Sequence, residues 1–96
     1  MNRRPRVGRG RSTDRLMRVA ELLSRGAWQQ AHTIVQQEDC VQAAWLHGIV
    51  HTIEGDLDNA RHWYRKAGRE FPGPGSVQAE LVAARQAVEA AAAPAP

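Results

Sequence analysis

Residues 40–72 read CVQAAWLHGIVHTIEGDLDNARHWYRKAGREFP. Apolar side chains recur at helical spacing from Gln42 to Ile53, the step Glu54-Gly55-Asp56 interrupts them, and a second periodic run follows from Leu57 to Arg69. The stretch therefore predicts a helix, a tight turn and a second helix. So short a link forces the two helices to lie antiparallel and to pack on each other.

Gly48, Gly55, Ala60, Tyr64, Ala67 and Pro72 stand at intervals that resemble the tetratricopeptide repeat, a helix-turn-helix unit. The physics of those positions agrees with the resemblance. Small Gly48 and Ala60 let the paired helices approach, Gly55 supplies a left-handed stop, Tyr64 fills the space between the helices, and Pro72 closes the second helix. Ala44 replaces the usual Trp of the family, and His47 and His51 replace a Leu and an aromatic residue. The stretch is also similar to segments of small bacterial proteins of unknown function, a similarity that implies no activity.

Working outward, Leu16, Met17, Val19, Ala20, Leu22 and Leu23 form a preceding helical run that Gly26 ends. Ser12 or Thr13 is positioned to cap its start, and Asp14–Arg18 and Glu21–Arg25 support its exposed side. A second run from Ala27 to Gln37 sets Ala27, Trp28, Ala31, Ile34 and Val35 on one face. Gly26 to Gly55 and Ala31 to Ala60 are the same shift of 29 residues, against the usual 34 of the tetratricopeptide unit, which argues for an internal duplication with a tight Glu38-Asp39 connection. After the Gly-Pro-Gly segment, Ser76 is placed to cap a last helix whose stripe is Val77, Leu81, Ala84 and Val88. Gln78, Glu80, Arg85, Gln86 and Glu89 form its polar side. The expected fold is all-α: two helix pairs and a C-terminal capping helix over residues 12–90, between a disordered basic tail at 1–11 and a fraying Ala/Pro tail at 91–96.

The chain has 96 residues, 43% of them apolar and 24% charged, enough for one domain with a modest core. No apolar run approaches the ~20 residues of a membrane helix, and the basic start has no hydrophobic segment behind it, so neither a membrane partner nor a cleaved leader is expected. One cysteine, Cys40, permits no internal disulfide and fits a reducing cytoplasm. It is read as a small apolar filler at a helix start. The net charge of +3 belongs to the tail: Arg3, Arg4, Arg6, Arg9 and Arg11 carry +5, and the rest of the chain sums to −2. A short Arg/Gly arm can hold nucleic acid, but it has no aromatic residue on which to stack bases, so nucleic acid ranks third among the partners.

Chemistry points to one helix. His47, His51 and Glu54 lie within about 60° of one another on a helical wheel, and His32 on the preceding helix can reach the same place. Two imidazoles and a carboxylate suit zinc or non-haem iron. The HExxH signature is absent, however, and packing against Trp63 and Tyr64 accounts for the same rings, so no cofactor is expected and the metal site is the runner-up. Walker, GxGxxG and GxSxG motifs are missing, which disfavours an enzyme. Arg61, His62, Arg65, Lys66 and Arg69 form a basic stripe read as a solvated face. The leading reading is a non-enzymatic interaction module. It would bind a protein or peptide, or a second copy of itself, through an apolar groove made by Leu16, Ala20, Leu23, Trp45, Ile49 and Ile53, with Gln42 and Thr52 beside it.

Overall fold

A computed structural model describes residues 7–92, with side chains from Ser12 onward. Among these residues there are five α-helices and no strand: α1 (Val7–Ser24), α2 (Trp28–Val35), α3 (Val41–Glu54), α4 (Leu57–Lys66) and α5 (Val77–Ala92), the last entered through a 3-10 turn at Pro74–Ser76. Successive helices pair, α1 with α2 and α3 with α4, and α5 packs against both α1 and α3. No helix in the described residues is long and apolar enough to cross a membrane.

The 29-residue shift between Gly26 and Gly55 has a geometric counterpart. Gly26 and Gly55 both take positive φ, at 77° and 95°, and each is followed by the same pair of turn hydrogen bonds: Gly26 N and Ala27 N donate to Leu23 O and Leu22 O, and Gly55 N and Asp56 N donate to Thr52 O and His51 O. This is the left-handed helix stop that glycine accepts without a Cβ penalty. Ala31 and Ala60 are both fully buried. Between the α3–α4 pair, a Cβ built on Gly48 would meet Tyr64 Cδ1 at 2.5 Å and Cε1 at 2.8 Å, so the interhelical distance exists only because that residue has no side chain.

Two boundaries depart from the sequence reading. α1 begins at Val7, so part of the expected tail is helical; propagating an existing helix costs far less than starting one. Met1–Arg6 and residues 93–96 lie outside the described residues. Ser12 consequently caps nothing, and its hydroxyl donates to Glu38 Oε1 at 2.7 Å. Arg15 pairs with the other oxygen of that carboxylate and, against the opposing effect of burial, holds its pKa below the usual range, with Ser12 assisting. This latch ties the short link between α2 and α3 to α1. Finally, α4 ends at Lys66 and not at Arg69, because Gly68 turns the chain four residues before Pro72.

The largest difference concerns the core. Every residue of α3 from Ala43 to Thr52 is buried, so α3 is the axis of the molecule and presents no open face along that span. Leu16, Ala20, Leu23, Trp45 and Ile49, expected to line a groove, are all core, none more than 5% exposed, and Thr52 is buried with them; only Ile53 and Gln42 are half-buried. α5 closes that side. Its buried stripe of Leu81, Ala84 and Val88 is widened by Ala83 and Ala87, small enough to let the helix settle against α1 and α3 together. Glu80, assigned to the polar side, turns inward and accepts hydrogen bonds from Trp45 Nε1 at 3.0 Å and Tyr64 Oη at 2.8 Å. Burial and that carboxylate raise the tyrosine pKa above its ordinary value.

Candidate metal centre

Two helices bring three imidazoles together. His47 and His51 are one turn apart on α3, and α2 crosses that helix so that His32 completes the cluster. The ring centroids are 4.9 Å apart for His32 and His47, 5.2 Å for His32 and His51, and 5.0 Å for His47 and His51. One ring nitrogen from each lies within 4.8 Å of the other two. His47 and His51 are buried and His32 is half-buried. A second group, His51 with Glu54 and Asp56, shares one ring but has exposed carboxylates, and Asp56 already caps α4 by accepting from Asn59 N at 3.3 Å. The imidazole set is therefore the candidate centre.

Two of the three rings are held from behind. His51 Nδ1 lies 2.7 Å from Glu54 Oε1, so with its proton on Nδ1 it donates to the carboxylate and directs the Nε2 lone pair away from it. Carboxylates stand in this relation to metal-bound histidines, fixing tautomer and orientation. His47 lies flat on Trp63, with centroids 3.8 Å apart and planes 7° from parallel, and Lys66 Nζ sits 5.2 Å over the far ring of that stack. Burial, and then the proximity of His51, His32 and His62, lower the His47 pKa to about 3. The ring is thus neutral at any physiological pH, the form in which an imidazole offers a lone pair to a metal. A cleft of about 370 Å³ opens at His47 between the α2–α3 link and α4, with Cys40, Trp63 and Lys66 in its wall. Cys40 itself is exposed at the start of α3 and fills no core space.

Sequence reasoning placed His47, His51 and Glu54 on one stripe and named His32 as a possible addition. The structure brings all four together, with Glu54 behind His51 and His32 as the third ring of the cluster. The basic stripe divides. Arg61, Arg65 and Arg69 share one cleft, whereas Lys66 faces the opposite side over Trp63. Trp63 is the contributor that the sequence reading assigned to packing alone. Its contact with His47 depends on how close Gly48 lets α4 come, which spacing within α4 does not encode. No family model, curated protein or solved structure matches the chain.

Proposed function

We propose that this protein is a helical metal-binding protein that holds a zinc-class divalent cation on His32, His47 and His51. The observation that carries the proposal is the convergence of three imidazole nitrogens from two helices within 4.8 Å, with Glu54 behind one of them. Zinc takes imidazole nitrogens at about 2.0–2.1 Å, which sets tetrahedral ligand atoms roughly 3.3 Å apart, so small side-chain rotations suffice to close the three rings on an ion. Three imidazole ligands bring no negative charge to the ion, and the nearest carboxylate, Glu54, is one step removed. That donor set favours borderline ions such as zinc, cobalt or nickel over magnesium or calcium. Three protein ligands leave a fourth position for water or an exogenous ligand, and the cleft at His47 supplies access. The scaffold, which we read as tetratricopeptide-like, serves here as a rigid frame whose first pair contributes one ring and whose second pair contributes two.

The test is elemental analysis of protein purified without chelator, followed by titration of the apoprotein with zinc and cobalt. One ion per chain is expected, with a tetrahedral cobalt spectrum. His32→Gln, on the least buried ring, should abolish retention while leaving the helical spectrum unchanged. Glu54→Gln should weaken binding by about 10–100-fold. Absence of saturable binding by the folded apoprotein, or equal binding by the His32→Gln variant, overturns the proposal.

A further inference from the structure

On the opposite side of α4, Arg61, Arg65 and Arg69 line a cleft of about 640 Å³ together with Gly68, Glu70 and Phe71. Arg61 and Arg65 are one turn apart. Arg69 joins them because the chain reverses at Gly68, where Gly68 N donates to Arg65 O and Arg69 N to Tyr64 O, both at 2.9 Å. Arg69 is then held by a ring: its guanidinium carbon lies 3.6 Å from the centroid of the Trp45 indole. That indole is 5% exposed and its N–H is bonded to Glu80, so the platform cannot turn. Arg61 lies over Phe71 at 5.5 Å and pairs at 3.1 Å with Asp58, whose side chain is otherwise fully exposed.

Stacking occupies the face of a guanidinium and leaves its in-plane N–H donors pointing outward. A solvated arginine face is mobile; here one arginine is fixed on a buried indole and a second lies over Phe71, while the carboxylates beside them are Asp58, paired with Arg61, Glu70 in the cleft wall, and Glu80, which is engaged by the Trp45 and Tyr64 donors. We propose that this cleft binds the phosphate group of a small soluble phosphorylated molecule. A phosphate monoester carries up to two charges and offers three oxygens to three guanidiniums, bonds that are charge-assisted and directional. The volume falls within the ~300–1,000 Å³ of small-molecule sites, and Phe71 gives the remainder of such a ligand an apolar wall. The site stands apart from the imidazole cluster and does not depend on it.

Pyrophosphate is the probe, titrated into the full chain with chelator present so that bound metal contributes nothing, and followed by calorimetry and amide chemical shifts. Saturable one-to-one binding is expected, with shifts centred on residues 61–71. Arg69→Gln and Arg65→Gln should each weaken it about tenfold or more, one charged hydrogen-bonded contact being worth at least that factor. Lys66→Gln removes the same charge from the other face of the helix and should leave the affinity unchanged. Equal losses in Lys66→Gln and Arg69→Gln would reduce the effect to net charge and overturn the site. So would the absence of saturable pyrophosphate binding, or binding of RNA or phosphoinositide vesicles that pyrophosphate does not displace.

Discussion

Substituting Gly48 by alanine tests the packing on which both clefts depend. In an exposed helix the change stabilises by about 0.8–1 kcal/mol, because glycine loses more backbone entropy. Here the new methyl would stand 2.5 and 2.8 Å from two carbons of the Tyr64 ring and 3.4 Å from Ala60 O. Ordinary carbon contact is ~3.5 Å, so the ring or the whole of α4 must withdraw by about 1 Å. The ring has nowhere to go: it is 2% exposed, its edge meets Phe71 at 5.3 Å between centroids, and its hydroxyl is bonded to Glu80. Overpacking costs typically about 1–3 kcal/mol, and weakening the Tyr64–Glu80 bond adds about 1 kcal/mol. Less the helix-propensity gain, Gly48→Ala should destabilise by about 1–3 kcal/mol and lower Tm by roughly 4–24 °C for a domain of this size. Urea unfolding followed by far-ultraviolet circular dichroism gives the first number and a thermal melt the second. The same substitution in a Tyr64→Leu background should cost less than half as much, since the clashing carbons are gone. An unchanged or raised Tm in the single variant, or an equal cost in both backgrounds, would refute the close-approach argument.

Removing the acceptor at Glu80 with Glu80→Ala should cost about 2 kcal/mol in urea unfolding, as two partly buried donors lose their partner, while Glu80→Gln keeps an acceptor oxygen and should cost less than half of that; equal effects would show that the pair of bonds is not what holds α5. Apoprotein stability should fall as the pH is lowered from the ordinary histidine value of 6.5 toward about 3, because the His47 pKa is depressed in the folded state and the unfolded chain binds the proton first. Denaturant midpoints at a series of pH values should show that slope, and His47→Gln, which does not titrate, should flatten it; an unchanged slope would place the titration elsewhere.

The helix pairs were legible because their signals are local. Gly55 and Gly26 mark left-handed stops, and Ala31 and Ala60 repeat at one shift, so neither reading needs tertiary information. Half of the candidate centre was legible for the same reason: His47, His51 and Glu54 share a helical stripe. The participation of His32 depends on how α2 crosses α3, which periodicity does not encode. The expected groove failed on a question of area. Ala83 and Ala87 stand outside the stripe of Val77, Leu81, Ala84 and Val88 that the sequence displays, yet small side chains are what allow α5 to lie against two helices at once, so one apparent stripe became a face. Arg69 was misplaced because Pro72 looked like the helix stop; the glycine four residues earlier acts first, and the reversal that follows carries the guanidinium onto Trp45.

An alanine-lined interface is smooth, and by itself it lets a helix slide along its neighbours in steps of one turn, about 5.4 Å. Glu80 removes that freedom. Its single oxygen answers donors from both α3 and α4, and one turn away in either direction along the chain stand Ser76 or Val77 and Ala83 or Ala84, none of which offers a carboxylate. A slipped α5 would bury as many methyl groups but strand an indole N–H and a phenol O–H. The register of the C-terminal helix can be read only once α3 and α4 have come together to present those two donors side by side, so the closing helix checks the assembly it completes.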